Sequence, residues 1–342
     1  MKWNIKYYEE PGILFGDREV EADTAPMAQV MELLKPGLDE GRVALAVLSN
    51  LDSDEGPVLC PESPVVDLPF EELADKMTEL LQEQRPFAAV SLVDGALKGA
   101  HKDDPEVKLI AASVYEHVSF HEFAVRLLQE VYDSFDDPVR KLALQVRLAR
   151  ALFRSGRQND VRDLLKEPLE HPELPSVLKA EGLLLKAICA GPVEGLEVLD
   201  EMLDYTEEAL GDHRLVADAL ELHADYLAAS DPKKAEQFYH AAGKMLVSLR
   251  DPYFFSLNER FVMHFLRQKA YKEALDLSHE MFEMLKQAGG PPIASVPYFV
   301  FAGRAHKELG NQERSEFATK TAREIHPVEA RRIEEMVEMA LA

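Results

Sequence analysis

A small or aliphatic residue recurs seven times, each time where an amphipathic segment reopens behind a turn: Ala89, Ala124, Val161, Leu196, Ala235, Ala274 and Ser315, at intervals of 35 to 41 positions. Such an interval holds two short helices and their turns, so the repeating unit is a helical hairpin. A lone hairpin cannot bury its apolar face, and neighbours must cover one another in a solenoid. The predicted fold class is therefore all-α, a right-handed α-solenoid of about seven helix-turn-helix repeats. Stacked repeats present long grooves rather than chemical pockets. That makes the chain a binding scaffold and leaves its partner open.

Proline and aspartate punctuate the pattern. Asp103-Asp104-Pro105, Asp136-Asp137-Pro138, Pro172 with Pro175, Asp251-Pro252, Gly289-Gly290-Pro291-Pro292 and His326-Pro327 separate hairpins. Proline suits a helix's first turn and not its interior, so these positions are helix starts. Turns within hairpins are expected at Arg85-Pro86, Ser119-Phe120, Ser155-Gly156, Gly191-Pro192, Ser230-Asp231-Pro232, Lys269-Ala270 and Leu309-Gly310-Asn311. The last segment, Val328 to Leu341, places Ile333, Met336, Val337, Ala340 and Leu341 on one helical face, as a C-terminal capping helix requires.

Residues 1–66 read differently and form a first region ahead of the repeat domain of residues 67–342. Trp3, Ile5 and Tyr7 alternate with polar neighbours at a strand period. Thr24 with Pro26 opens a short helix to Lys35, stopped by Pro36-Gly37. Arg42 to Ser49 is ambiguous between strand and helix, and Asn50 to Pro64 reads as a loop. The expectation is a small mixed α/β segment, with a degenerate extra hairpin as the alternative.

From residue 67 to 327 the chain resembles the tetratricopeptide-repeat family. Gly303, His306, Gly310, Ser315, Ala322 and Pro327 stand where that family places its small, bulky, turn, small, small and proline residues. Ala112, Tyr115, Ala124 and Val131 repeat the pattern, as do Ala149, Leu152, Gly156 and Val161; Tyr226, Ala235 and Ala242 carry part of it. Met77, Leu184, His223 and Val262 depart from it, standing where glycine or alanine is usual. The resemblance implies peptide or protein binding, usually in the inner groove lined by the first helices, and brings no catalytic residue.

Bulk properties narrow the partners. The net charge of −24 repels phosphate backbones and anionic membranes, so direct nucleic-acid contact is disfavoured. No run of about eighteen apolar residues offers a membrane span. Cys60 and Cys189 are too few for a disulfide framework or a zinc knuckle. With no signal-peptide pattern at Met1 to Lys6, the expected location is cytoplasmic.

The sharpest local feature is an arginine stripe. Arg147, Arg150, Arg154 and Arg157 share one helical face, and residues 138–159 hold six basic residues and no acid. Arginine's planar fork suits bidentate capture of a partner's carboxylates. The competing explanation is internal: residues 103–137 carry a net −7 and residues 176–211 a net −6, enough to neutralise the stripe. Arg140 and Lys141, beside Asp136 and Asp137, fit internal pairing best. Arg260, Arg267 and Arg304, with Lys307, would extend a basic inner path. Tyr253, Phe254, Phe255, Phe261, Phe265, Tyr298, Phe299 and Phe301 concentrate aromatic area nearby, as core or, where exposed, as a partner's anchor.

His117, His121 and Glu122 straddle the expected turn and lack a third ligand of metal-binding spacing. No phosphate loop or serine elbow occurs, so neither enzyme chemistry nor a cofactor is expected. The function expected is a non-enzymatic interaction scaffold or adaptor. A peptide-sensing regulator hinged at Gly289-Gly290-Pro291-Pro292 and a chaperone for an aggregation-prone partner are the alternatives.

Overall fold

The computed structural model describes residues 1–9, 13–22, 26–39, 44–52 and 57–341. It divides into two compact units, Met1–Cys189 and Ala190–Ala342.

The first unit opens with a four-stranded antiparallel sheet. Strand β1 (Lys2–Glu9) lies between β2 (Ile13–Glu21) and β3 (Ala44–Asn50), and β4 (Val58–Cys60) pairs with β3, in the order β2-β1-β3-β4. Alternation gives the sheet two apolar faces. Trp3, Ile5, Ala46 and Leu48 cluster with Val30 and Leu34 of helix α1 (Met27–Asp39). On the other face Leu45, Val47 and Leu59 share one core with Phe87, Val90, Phe120 and Phe123 of the helical hairpins.

The mixed α/β segment is thus present, with two differences from its sequence reading. Helix α1 does not stop at Pro36-Gly37 but continues to Asp39. Proline forfeits one hydrogen bond, which a helix held on the sheet by buried Val30 and Leu34 absorbs. Within the stretch read as a loop, burial of Leu59 on β3 outweighs the flanking breakers and makes a short strand. The expected helix start at Thr24 and the start of the Arg42 run lie outside the described residues.

Three hairpins follow in this unit: α2 (Phe70–Gln82) with α3 (Pro86–Lys98), α4 (Pro105–His117) with α5 (His121–Val131), and α6 (Pro138–Arg154) with α7 (Gln158–Glu170). Helix α8 (Ser176–Ala209) spans the fourth repeat and is broken at Gly191, whose φ of +76° only glycine adopts cheaply, just before Pro192. The division between the units falls at this break.

The second unit continues with α9 (Arg214–Leu227) and α10 (Pro232–Ser248), α11 (Phe254–Arg267) and α12 (Tyr271–Gln287), and α13 (Val296–Glu308) and α14 (Gln312–Ile325). Helix α15 (Pro327–Leu341) closes it, burying Ala330, Ile333 and Val337. The architecture is the helical-repeat class expected, with seven hairpins and a capping helix behind an α/β segment. Helix starts follow the punctuation: Pro86, Pro105, Pro138, Pro232 and Pro327 are first residues, and Asp104, Asp137 and Asp231 cap with their carboxylates.

The small residue after each turn is the fourth of its helix and is buried at Ala89, Ala124, Val161, Ala235, Ala274 and Ser315. In the fourth hairpin the equivalent position is Gly195, buried, rather than the half-buried Leu196. The register there is one residue earlier than the sequence reading placed it, because counting starts at Pro192.

Candidate protein-interaction faces

The arginine stripe folds into a ladder joining successive first helices of the first unit. Arg147 on α6 donates through Nε to Glu116 Oε2 on α4 at 2.9 Å and through a guanidinium nitrogen to Ser113 Oγ at 2.8 Å. Arg150 donates to the other Glu116 oxygen at 3.2 Å and to Glu181 on α8 at 2.8 Å. The Glu116 side chain is 9% exposed, Glu181 15% and Arg150 31%. Burial opposes the charge of Arg150, but Glu181 and Glu116 outweigh it and hold the guanidinium above its ordinary range. One guanidinium nitrogen of Arg140 donates to both Glu106 oxygens at 2.7 and 2.8 Å, and the group lies over the Phe135 ring, so its partner is one repeat away rather than the neighbouring aspartates.

Arg154, the last residue of α6, is different. It is exposed, and among the described residues it has no ion-pair partner. It borders a cavity of about 150 Å³ with Lys6, Ser49, Ser119 and His121. The His121 imidazole is held below its usual range by burial and then by Arg154. Arg157 pairs with Asp160 at the start of α7.

The second unit repeats the scheme. Arg260 on α11 reaches Glu221 at 3.1 Å and Asp225 at 3.0 Å, both on α9. Tyr253 also donates to Glu221, at 3.1 Å, and Tyr239 to Asp225. Burial pushes the Glu221 carboxyl up, against the pull of Arg260. Arg304 on α13 binds Glu308 in its own helix at 3.0 Å and Glu338 of the capping helix at 2.5 Å. Arg267, the last residue of α11, is exposed and has no ion-pair partner among the described residues.

The structure therefore separates the six candidate arginines. Arg147, Arg150, Arg260 and Arg304 are joined to acids of the fold, while Arg154 and Arg267 end their helices with no ion-pair partner among the described residues. The acid partners Glu116, Glu181, Glu221, Asp225 and Glu338 were not singled out from the sequence. Their signal was the repeat itself: Glu116 and Arg150, Asp225 and Arg260, and Arg304 and Glu338 stand 34 to 35 positions apart, one period.

The aromatics divide likewise. Phe261, Phe265, Tyr298 and Phe301 are core, whereas Tyr253, Phe254, Phe255 and Phe299 are half-buried at its edge. His223, where a small residue is usual, is 1% exposed and stacks on Phe238 at 4.0 Å.

No family model matches the chain, and no curated protein matches its sequence. Solved structures do resemble it. A signal-transduction ATPase with numerous domains and a tetratricopeptide repeat sensor, from Pyrococcus horikoshii, aligns at 15% identity over 79% of this chain and 42% of its own, with a TM-score of 0.56. The apo form of RapI aligns at 15% identity over 79% of this chain and all of its own, at 0.52. Aspartyl phosphate phosphatase F from Bacillus subtilis aligns at 10% identity over 75% of this chain and 70% of its own, at 0.51. Identities this low speak for the fold alone, and together with the seven hairpins they establish that this chain is a tetratricopeptide-like helical-repeat protein in fold.

Proposed function

We propose that the chain is a non-enzymatic interaction scaffold that binds a partner protein or peptide on its first-helix faces. In the first unit Arg154 meets a partner's carboxylates beside the braced Arg147 and Arg150, and in the second Arg267 does so beside Arg260 and Arg304. One contrast carries this reading. Of the six candidate arginines, four are tied to acids of the fold, and two are exposed without an ion-pair partner among the described residues of a chain of net charge −24. Placement at helix C-termini favours such cations by roughly 0.3–1 kcal/mol and leaves their donors unused. The negative surface disfavours nucleic acid as the partner. No helix among the described residues is long and apolar enough to cross a membrane.

A regulatory sensor is the second reading. It is favoured by Gly289, whose φ of +69° forms the joint between α12 and the 3-10 turn ahead of α13. The Pyrococcus horikoshii structure, whose repeats are described as a sensor, shares the fold.

The test uses the full chain as bait, with Arg154→Glu/Arg267→Glu beside the wild type. Both side chains are exposed, so the melting temperature should hold within a degree or two. The scaffold reading requires a protein recovered by the wild type to be lost from the double variant, with recovery falling as salt rises. Equal recovery of every protein by both baits overturns the proposed contacts.

A further inference from the structure

The second unit carries a groove on the opposite side of its helices from the arginine rail. Phe299, Ala302 and His306 are spaced three and four apart on α13, whereas Arg304 falls on the far side of that helix. They floor a cavity of about 320 Å³ walled by Ser278, His279 and Phe282 of α12 and by Arg314, Phe317 and Ala318 of α14. Phe282 and Phe299 meet edge to face at 5.0 Å, and Phe317 stands 69% exposed at the rim. An aromatic that exposed, next to an apolar hollow, is unusual for a surface position.

Its polar groups are unevenly used. Tyr298 donates its hydroxyl to Phe255 O at 2.8 Å and Ser278 to Ala274 O at 2.7 Å, so both are spent inside the fold. His306 is 5% exposed, and its Nδ1 is buried without a hydrogen-bond partner. A buried polar atom left open costs roughly 1–3 kcal/mol. Burial, with His279 and Arg314 beside it, keeps this imidazole below its ordinary range and hence neutral. Arg314 is exposed and has no ion-pair partner among the described residues. Acids outnumber basic residues by 62 to 38 in the chain, yet none of the ten residues lining the groove is acidic.

We propose that this groove docks a partner segment that carries a large apolar side chain next to an acidic one. The apolar side chain rests in the hollow against the Phe282–Phe299 pair, Phe317 covers it from the rim, and the carboxylate pairs with Arg314. At about 320 Å³ the cavity is at the small end of ligand sites, suited to one or two side chains. The open walls of α12 and α14 suit a segment passing through, so the carboxylate comes from an Asp or Glu side chain. The site goes beyond the first-helix contacts and does not depend on them.

The test is fluorescence anisotropy on the full chain. The probe is a short labelled, amidated peptide bearing Phe and Glu side chains in a Gly/Ser background, with Phe/Gln and Ala/Glu counterparts. The Phe/Glu peptide should bind more tightly than either counterpart, and Arg314→Glu and Phe317→Ala should each weaken it on the order of tenfold. Both substituted side chains are exposed, so circular dichroism should be unchanged. No preference for the Phe/Glu peptide, or an affinity indifferent to both substitutions, overturns the proposal. Loss of binding in Arg154→Glu/Arg267→Glu, with Arg314→Glu and Phe317→Ala silent, also overturns it, while leaving the first-helix reading standing.

Discussion

Arg150 donates to Glu181 at 2.8 Å, tying the first helix of the third hairpin to that of the fourth. The same guanidinium reaches back to Glu116, so one side chain bridges three successive first helices. Removing it leaves two carboxylates, 9% and 15% exposed, with less compensation. A fully exposed pair would cost under about 1 kcal/mol and a fully buried one about 3–5. Arg150→Met should fall between, near 2 kcal/mol in urea unfolding followed by circular dichroism. A loss below about 0.5 kcal/mol would show that the ladder is not a structural brace.

This ladder marks how far the sequence could be read. Hairpin count, turn positions and the capping helix follow from periodicity and from proline, which act locally. The partners of Arg147, Arg150 and Arg260 are one repeat away, where helical spacing rules do not reach. Opposite charges one period apart would have exposed them, and the net charges of the flanking segments gave only their sum. The groove between α12 and α14 was illegible for a different reason. Phe282 and Phe317 are on different helices 35 positions apart, and only packing shows that they flank one hollow.

The hairpin turns contain removable strain. Ser119 and Lys269 hold φ of +62° and +58°, the left-handed region that glycine fills at Gly156 and Gly310 in equivalent turns. Each closes the helix before it, with Phe120 N–H donating to Tyr115 O at 2.8 Å and Ala270 N–H to Phe265 O at 2.9 Å. A non-glycine residue pays about 1 kcal/mol or more there. Ser119→Gly and Lys269→Gly should each raise the melting temperature, less the entropy that glycine adds to the unfolded chain, for a net gain of about 0.5 kcal/mol. Scanning calorimetry of the two variants and their combination checks the sign.

Gly95 looks in sequence like a weak point inside α3, where alanine would help by about 1 kcal/mol. The packing around it works against that gain. A Cβ there would lie 2.2 Å from Pro64 O, and Gly95 O accepts the Val66 N–H at 3.0 Å. The glycine lets residues 64–66 lie directly on the helix. Gly95→Ala must move backbone, so it should destabilise the first unit by about 1–3 kcal/mol. Hydrogen exchange should report faster opening around Val66. An unchanged or raised melting temperature would refute the close approach.

Two groups of the second unit pull stability in opposite directions with pH. Burial raises the Glu259 carboxyl to about 7, partly offset by Arg332 and reinforced by Glu329. Between the unfolded value, near 4.3, and pH 7 the folded chain holds the proton more tightly, so this group's contribution falls as pH rises. His264 behaves oppositely. It is 2% exposed, and burial lowers its pKa against the opposing pull of Glu236. The unfolded imidazole takes a proton near pH 6.5 more readily, so stability is lost as pH falls through that value. Glu259→Gln should therefore stabilise by about 1–3 kcal/mol at pH 7 and by little at pH 5. His264→Leu should do most of its stabilising at pH 5, where the native histidine must stay neutral against the solvent. Unfolding free energies of both variants at the two pH values decide the matter: gains that do not depend on pH would mean that neither group titrates with folding.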